Sequence, residues 1–166
     1  MEISIKSITL FAAIMLTGLS AGLFYAWSVS VIPGTRKVLD FTYLQTMQSI
    51  NREILNPAFF LIFFGSLLLL VISTIQQFQS GKTFWILLVA ALTYLIGTFG
   101  VTAFGNVPLN NSLDVLQLSD LNPDQITKLR LRYEIKWNRL HTIRTVFSVL
   151  SFLFSLLAVF TISKSI

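Results

Sequence analysis

Four stretches of this sequence carry no charged side chain: 7–35, 54–81, 83–113 and 145–163. Each supplies the roughly 20 apolar residues that a helix rising about 1.5 Å per residue needs to cross about 30 Å of hydrocarbon. Inside a bilayer the backbone must satisfy its own hydrogen bonds, so apolar runs of this length are helices. They predict an all-α, integral membrane four-helix bundle in a single transmembrane domain, 1–166, with spans over approximately 8–32, 57–78, 83–105 and 142–163. Composition agrees, with 11% charged residues and a mean hydropathy of +0.76, where soluble chains carry about 25% charge. The first run continues to Ile32, well past the roughly 7–15 apolar residues of a signal peptide, and is expected to stay in the mature chain.

Gly81-Lys82 is a very short connection, so the second and third spans should form a tight antiparallel pair. The other two connections, 33–56 and 105–141, are long and fall on one side. That side carries Arg36, Lys37, Arg52, Lys128, Arg130, Arg132, Lys136, Arg139 and Arg144, against Lys6, Lys82 and Lys164 opposite. Nine against three predicts cytoplasmic long connections and both termini outside, in the cytoplasmic membrane of a bacterium. The formal net charge of +5 is dispersed among aliphatic runs, which suits anionic headgroups and argues against nucleic acid.

The long connections have structure of their own. Tyr43, Leu44, Met47, Ile50 and Ile54 recur at helical spacing and predict an additional amphipathic helix between spans 1 and 2. Asn56-Pro57 then restarts the chain, with proline suited to a first helical turn. Asn122-Pro123-Asp124 is a second start signal, combining a cap, a proline and an acid favoured by the helix dipole. No proline or glycine follows before the C-terminus, so an extended helix of about 60 Å is expected to lead into span 4.

The chemical repertoire is narrow. Without cysteine there are no disulfides, thiolate metal sites or thiol nucleophiles, and a single histidine, His141, excludes a multi-histidine cage within one chain. No P-loop, dinucleotide-binding glycine pattern or metal-binding helix motif is present. No cofactor or metal is expected, since a haem or copper held by one histidine would need Met or amide groups as its other ligands.

Polar residues cost free energy in lipid, so their positions carry information. Trp137, His141, Arg144, Ser148, Ser151 and Ser155 are spaced 4, 3, 4, 3, 4 and therefore share one helix face. The serines suit close packing, whereas an aromatic, an imidazole and a guanidinium together at the head of a span suit a lined pocket. A second cluster ends span 3, where Pro108 is expected to break the helix and leave carbonyls open beside Asn106 and Asn110. A third group, Asn51, Arg52 and Glu53, precedes span 2, with Glu53 a candidate ion-pair partner for Arg144. Tyr25 and Trp27 end span 1 at the same face, as pocket lining or as an interfacial belt. Small residues at packing intervals, Gly18 and Gly22 in span 1 and Thr93, Gly97 and Gly100 in span 3, suit contacts within the bundle, with a homo-oligomer as the competing use.

At these residues the chain resembles the membrane-bound anthrone oxygenase-like proteins. The matching pieces are Gly22-Leu-Phe-Tyr-Ala-Trp-Ser28, Met47-Gln-Ser-Ile-Asn-Arg52 with Asn56-Pro57, Gly105-Asn-Val-Pro-Leu-Asn110, and Trp137-Asn-Arg-Leu-His-Thr-Ile-Arg-Thr145. The resemblance implies four membrane helices and, from the characterised fungal members, oxygenation of an anthrone to an anthraquinone without a cofactor. It maps the recurring polar residues onto Asn51, Arg52, Asn106, Pro108, Asn110, Trp137, His141 and Arg144. On that reading His141 is the base toward an acidic C–H or phenol, and Asn106, Asn110 and Arg144 stabilise the resulting anion. The expected partners are the lipid bilayer and a small hydrophobic or aromatic molecule. Two alternatives stay open: a noncatalytic membrane protein binding a small hydrophobic or anionic ligand, and a transporter or accessory subunit.

Overall fold

The computed structural model describes residues 4–162, and every regular element among them is helical. Four helical rods are long and apolar enough to cross a membrane, Ile5–Thr35, Pro57–Gln76, Lys82–Asp114 and Pro123–Thr161, which makes this an integral membrane protein. In element terms the first rod is α1 (Ile5–Ala26), a π-helical stretch (Trp27–Val31) and α2 (Ile32–Thr35). After α3 (Asp40–Glu53) and α4 (Pro57–Gln76), the third rod is α5 (Lys82–Thr93), two π-helical stretches (Tyr94–Gly100 and Thr102–Asn106) and α6 (Val107–Asp114). The last is α7 (Pro123–Ile162), 40 residues long.

Each boundary has a local cause. Asn56 accepts a hydrogen bond from the Phe59 backbone N–H at 3.0 Å and is followed by Pro57, which starts α4. Asn122 and Gln125 bond each other's backbone N–H groups, each at 2.9 Å, in a reciprocal cap that starts α7. Between α4 and α5 the chain reverses through Gly81 at φ +53°, a left-handed conformation that glycine adopts without strain.

Pro108 does not break its helix, contrary to the expectation from sequence, and the third rod runs on to Asp114 rather than ending at 105. The bonding widens ahead of the proline: the Val107 N–H reaches the Thr102 carbonyl five residues back. Pro108 then falls in the first turn of α6, where a missing N–H costs least. The predicted fourth span reached 163, a residue that lies outside the described ones.

The spans form a square in which α1 packs on α4 and α7, and α5 packs on α7 and α4. The serine stripe of α7 is interior: Ser148, Ser151 and Ser155 are fully buried. Ser151 donates to the Ala90 carbonyl at 2.8 Å, and Ser20 and Tyr94 share a hydrogen bond at 2.9 Å. Glycines make room at helix crossings. A Cβ on Gly97 would overlap the Phe147 ring and one on Gly18 would lie 3.0 Å from Phe152, whereas Gly22 faces open space.

Toward its N-terminal half, on the side of the long connections, α7 carries a second core. Tyr43, Leu44 and Met47 of α3 pack on Leu113, Leu118, Ile126, Tyr133 and Trp137. The amphipathic α3 thus lays its apolar face on protein. Arg130 locks this assembly. It donates to Asp40 at 2.9 Å, Glu134 at 3.0 Å and the carbonyls of Thr35, Arg36 and Val38, and its guanidinium lies 4.6 Å from the Tyr43 ring centre. The Thr127 hydroxyl, and after it Arg130, holds the Asp40 carboxyl below its ordinary range, while burial pushes the Tyr43 phenol up.

The glycine contacts set up a contrast. Gly97→Ala forces Phe147 out of its place and is expected to destabilise the bundle by about 1–3 kcal/mol. Gly22→Ala meets nothing and is expected to be neutral or stabilising by up to about 1 kcal/mol. Thermal unfolding in detergent compares the two; equal effects would remove Gly97 from the crossing.

Candidate functional site

The site forms where the two cores meet. α7 carries Trp137, His141 and Arg144 past the end of α1, and at that level α1 changes to π-helical bonding over Trp27–Val31. Just before it, the Phe24 carbonyl meets side chains as well as the Trp27 backbone N–H. It accepts from the Ser28 hydroxyl at 3.0 Å, and His141 Nε2 lies 3.1 Å from it.

The partners of His141 fix its tautomer. Nδ1 lies 3.2 Å from Arg144 Nε and 3.0 Å from Arg144 Nη2, and a guanidinium can only donate. A carbonyl can only accept, so Nε2 carries the hydrogen and donates to Phe24. The fully buried ring is therefore a neutral imidazole, stacked on Trp137 at 5.0 Å and 8°. Ser28 and Thr145 hydroxyls complete its shell at 3.0 and 3.3 Å.

Arg144 is 8% exposed and has no carboxylate partner among the described residues. Its charge rests on two rings, with the guanidinium carbon 4.6 Å from the Phe24 centroid and 5.1 Å from Trp137. A buried cation without a counter-charge is costly, by several kcal/mol for desolvation alone, and such residues in a membrane protein mark functional sites.

A third set of side chains orients amide groups beside this cation. Trp137 Nε1 donates to Asn110 Oδ1 at 2.9 Å, and the Tyr133 hydroxyl donates to the same oxygen at 3.1 Å. An indole N–H cannot accept, so the Asn110 oxygen is pinned and its amide nitrogen is the free end. Asn51 Nδ2 donates to the Tyr133 oxygen at 3.0 Å and completes the chain. Asn51, Asn110, Trp137, His141, Arg144 and Trp27 all line one cavity of about 70 Å³, walled by Phe24, Ile50, Ile54, Leu55, Phe59 and Thr102. A buried water needs about 10–15 Å³ on this scale, so the cavity takes several waters or the polar edge of a larger molecule.

Not every candidate arrives there. Asn106 sits behind the wall, fully buried, its amide 3.4 Å from the Trp137 carbonyl and its Oδ1 without a hydrogen-bond partner among the described residues. Arg52 faces outward and pairs with Asp114 at 2.6 Å. The Glu53–Arg144 pair expected from sequence does not form, because Glu53 is exposed at the last turn of α3 while Arg144 is enclosed. Tyr25 is 59% exposed on the outer surface, and Pro108 lines an external furrow.

Sequence reasoning missed Tyr133, Phe24, Ser28 and Thr145. Tyr133 stands four residues before Trp137 and extends the 4, 3, 4 stripe by one step, so the signal for it was available. The Phe24 carbonyl left no side-chain signal, because backbone geometry exposes it.

Fold and site together define a multi-pass membrane protein that holds a polar, guanidinium-bearing cavity at one mouth of its bundle. A family model described as Anthrone oxygenase matches residues 47–154, and the chain belongs to that family. No curated protein and no solved structure matches it. The matched region contains Asn51, Asn110, Tyr133, Trp137, His141 and Arg144, while the α1 wall with Phe24, Trp27 and Ser28 lies outside it.

Two measurements check the geometry. In protein labelled with 15N-histidine, the ring spectrum at neutral pH is expected to show a protonated Nε2 and an unprotonated Nδ1; the reverse tautomer would contradict the Arg144 donation. Tyr133→Phe strands the Asn51 amide and loosens Asn110, which is expected to cost about 1–3 kcal/mol in unfolding free energy.

Proposed function

We propose that this protein is a cofactor-independent oxygenase of an aromatic, phenolic small molecule bound in the Arg144 cavity. The observation that carries the reading is the enclosed guanidinium with no counter-charge among the described residues, a preformed site for an oxyanion that develops on a substrate. The ionised oxygen takes the Arg144 N–H groups, and the Asn110 amide nitrogen supplies a further hydrogen bond. As the guanidinium turns from His141 Nδ1 toward the substrate, that nitrogen regains its lone pair and becomes the base. The substrate thus exposes the base by occupying the cation. Asn106 acts from behind, by holding the Trp137 carbonyl.

For an anthrone the balance closes without an added reductant. His141 Nδ1 takes a proton from the methylene carbon, and the electron-rich carbanion reacts with dioxygen. One oxygen atom becomes the new carbonyl, the other leaves as water with the two methylene hydrogens, and the substrate is oxidised to the quinone. The cavity of about 70 Å³ takes the hydroxylated edge, and Ile54, Leu55 and Phe59 supply the apolar surface for the rings. The excess of Lys and Arg on the long connections supports a cytoplasmic mouth for this cavity.

Oxygen uptake by detergent-purified protein supplied with an anthrone tests this, against a blank for spontaneous oxidation. His141→Ala is expected to lower turnover by about 10²–10⁴-fold and Arg144→Gln by about 10²–10³-fold. Full turnover in either variant would overturn the assigned role. Stoichiometric, Arg144-dependent binding without uptake above the blank would instead identify a noncatalytic ligand-binding protein.

A further inference from the structure

An apolar furrow runs along the outer seam between the third rod and α7. Its upper part is lined by Leu109, Leu140 and Ile143, together with Lys136 and Arg139. Its lower part shares Phe104, Gly105 and Leu140 with the upper part and continues down the third rod to Leu95. Gly105 forms the floor, since a Cβ there would lie 3.0 Å from Leu140. From Leu95 to Leu109 the rod advances 14 residues, at most about 21 Å at the α-helical rise and less through its π-helical stretches, a distance comparable with the roughly 15 Å of hydrocarbon in one leaflet.

Charge and solvent together specify the occupant. Lys136 and Arg139 stand on α7 just before its uncharged run begins, at the level of the headgroups, and both are exposed. With Lys128 and Arg132 they recur at intervals of 4, 4 and 3 residues, one basic stripe along one helix face. Of the acids on this side, Asp114 is taken by Arg52 and Asp40 and Glu134 by Arg130, while Asp124 stands in the first turn of α7, 12 residues before Lys136. Neither Lys136 nor Arg139 forms an ion pair among the described residues. Below them the furrow wall lies open to the bilayer, with Phe104 86% exposed. A ligand that meets two cations at the surface and an apolar trough beneath them is one molecule with a negative head and a hydrocarbon tail.

We propose that this furrow is a binding site for one anionic phospholipid, its phosphate between Lys136 and Arg139 and one acyl chain along the seam past Gly105. The site lies outside the bundle and is separate from the Arg144 cavity. It gives exposed Phe104 and Pro108 a role that the cavity does not.

Displacement of a tail-labelled phosphatidylglycerol from the detergent-solubilised full chain tests the assignment. Unlabelled phosphatidylglycerol is expected to compete well and phosphatidylcholine poorly. Lys136→Ser with Arg139→Ser should weaken phosphatidylglycerol about 30-fold, roughly fivefold per cation, whereas Lys37→Ser with Lys82→Ser, an equal change in net charge, should leave it unaltered. In the wild type the preference should shrink as salt is raised. Equal competition by phosphatidylcholine, wild-type affinity in the Lys136/Arg139 variant, or a salt-independent preference would each overturn the proposal. So would full displacement by inorganic phosphate alone, since the acyl chain would then contribute nothing.

Discussion

Burial of the Arg144 charge is the constraint around which this end of the bundle is arranged. A guanidinium withdrawn from water needs its N–H groups bonded and its charge balanced. The protein does the first with His141 Nδ1 and part of the second with the faces of Phe24 and Trp137. Those contacts propagate. With Nδ1 occupied, the imidazole must carry its hydrogen on Nε2, which then requires an acceptor from α1. The Phe24 carbonyl, near the end of α1, is that acceptor. Tautomer and ring stacking thus follow from one charge.

A comparison within α7 shows what is unusual about it. Arg130 and Arg144 lie on the same helix and both meet aromatic rings, but Arg130 also meets two carboxylates and three carbonyls. Its donors are used and its charge is balanced, so it serves as a fastening between α3 and α7. Among the described residues Arg144 makes no such bonds to acids or carbonyls, and the amide nitrogen of Asn110 beside it adds donor capacity rather than an acceptor. The imbalance is local: Arg144 and the Asn110 amide nitrogen, both lining the cavity, are the groups placed to receive negative charge.

The sequence made the spans legible because length and lack of charge alone decide them, and it made the Trp137, His141, Arg144 stripe legible because helical periodicity places those residues together. The start of α7 at Asn122-Pro123 and the buried face of α3 were readable for the same local reasons. Three things were not. π-helical stretches are set by how neighbouring spans pack, and no spacing in 94–106 announces them, so Pro108 was read as a break. The pairing of Arg52 depends on where Asp114 falls, 62 residues away, and adjacency in sequence could not exclude it from the pocket. The orientation of Asn110 comes from Tyr133 and Trp137 across the bundle, a tertiary relation that appears only when both helices are in place.

The position of the cavity follows from the length of α7. A 40-residue helix extends past the hydrocarbon and must cover its far half, which it does with α3 and the segment around Leu118. Two cores therefore share one helix, and Trp137 belongs to the outer core while walling the cavity. Where the cores join, packing turns from aliphatic to polar and the first and third rods change to π-helical bonding. An amphiphilic aromatic molecule partitions to this same depth, with its rings in hydrocarbon and its hydroxyls near water. The junction is thus the level that suits both the proposed aromatic substrate and the buried Arg144 cation.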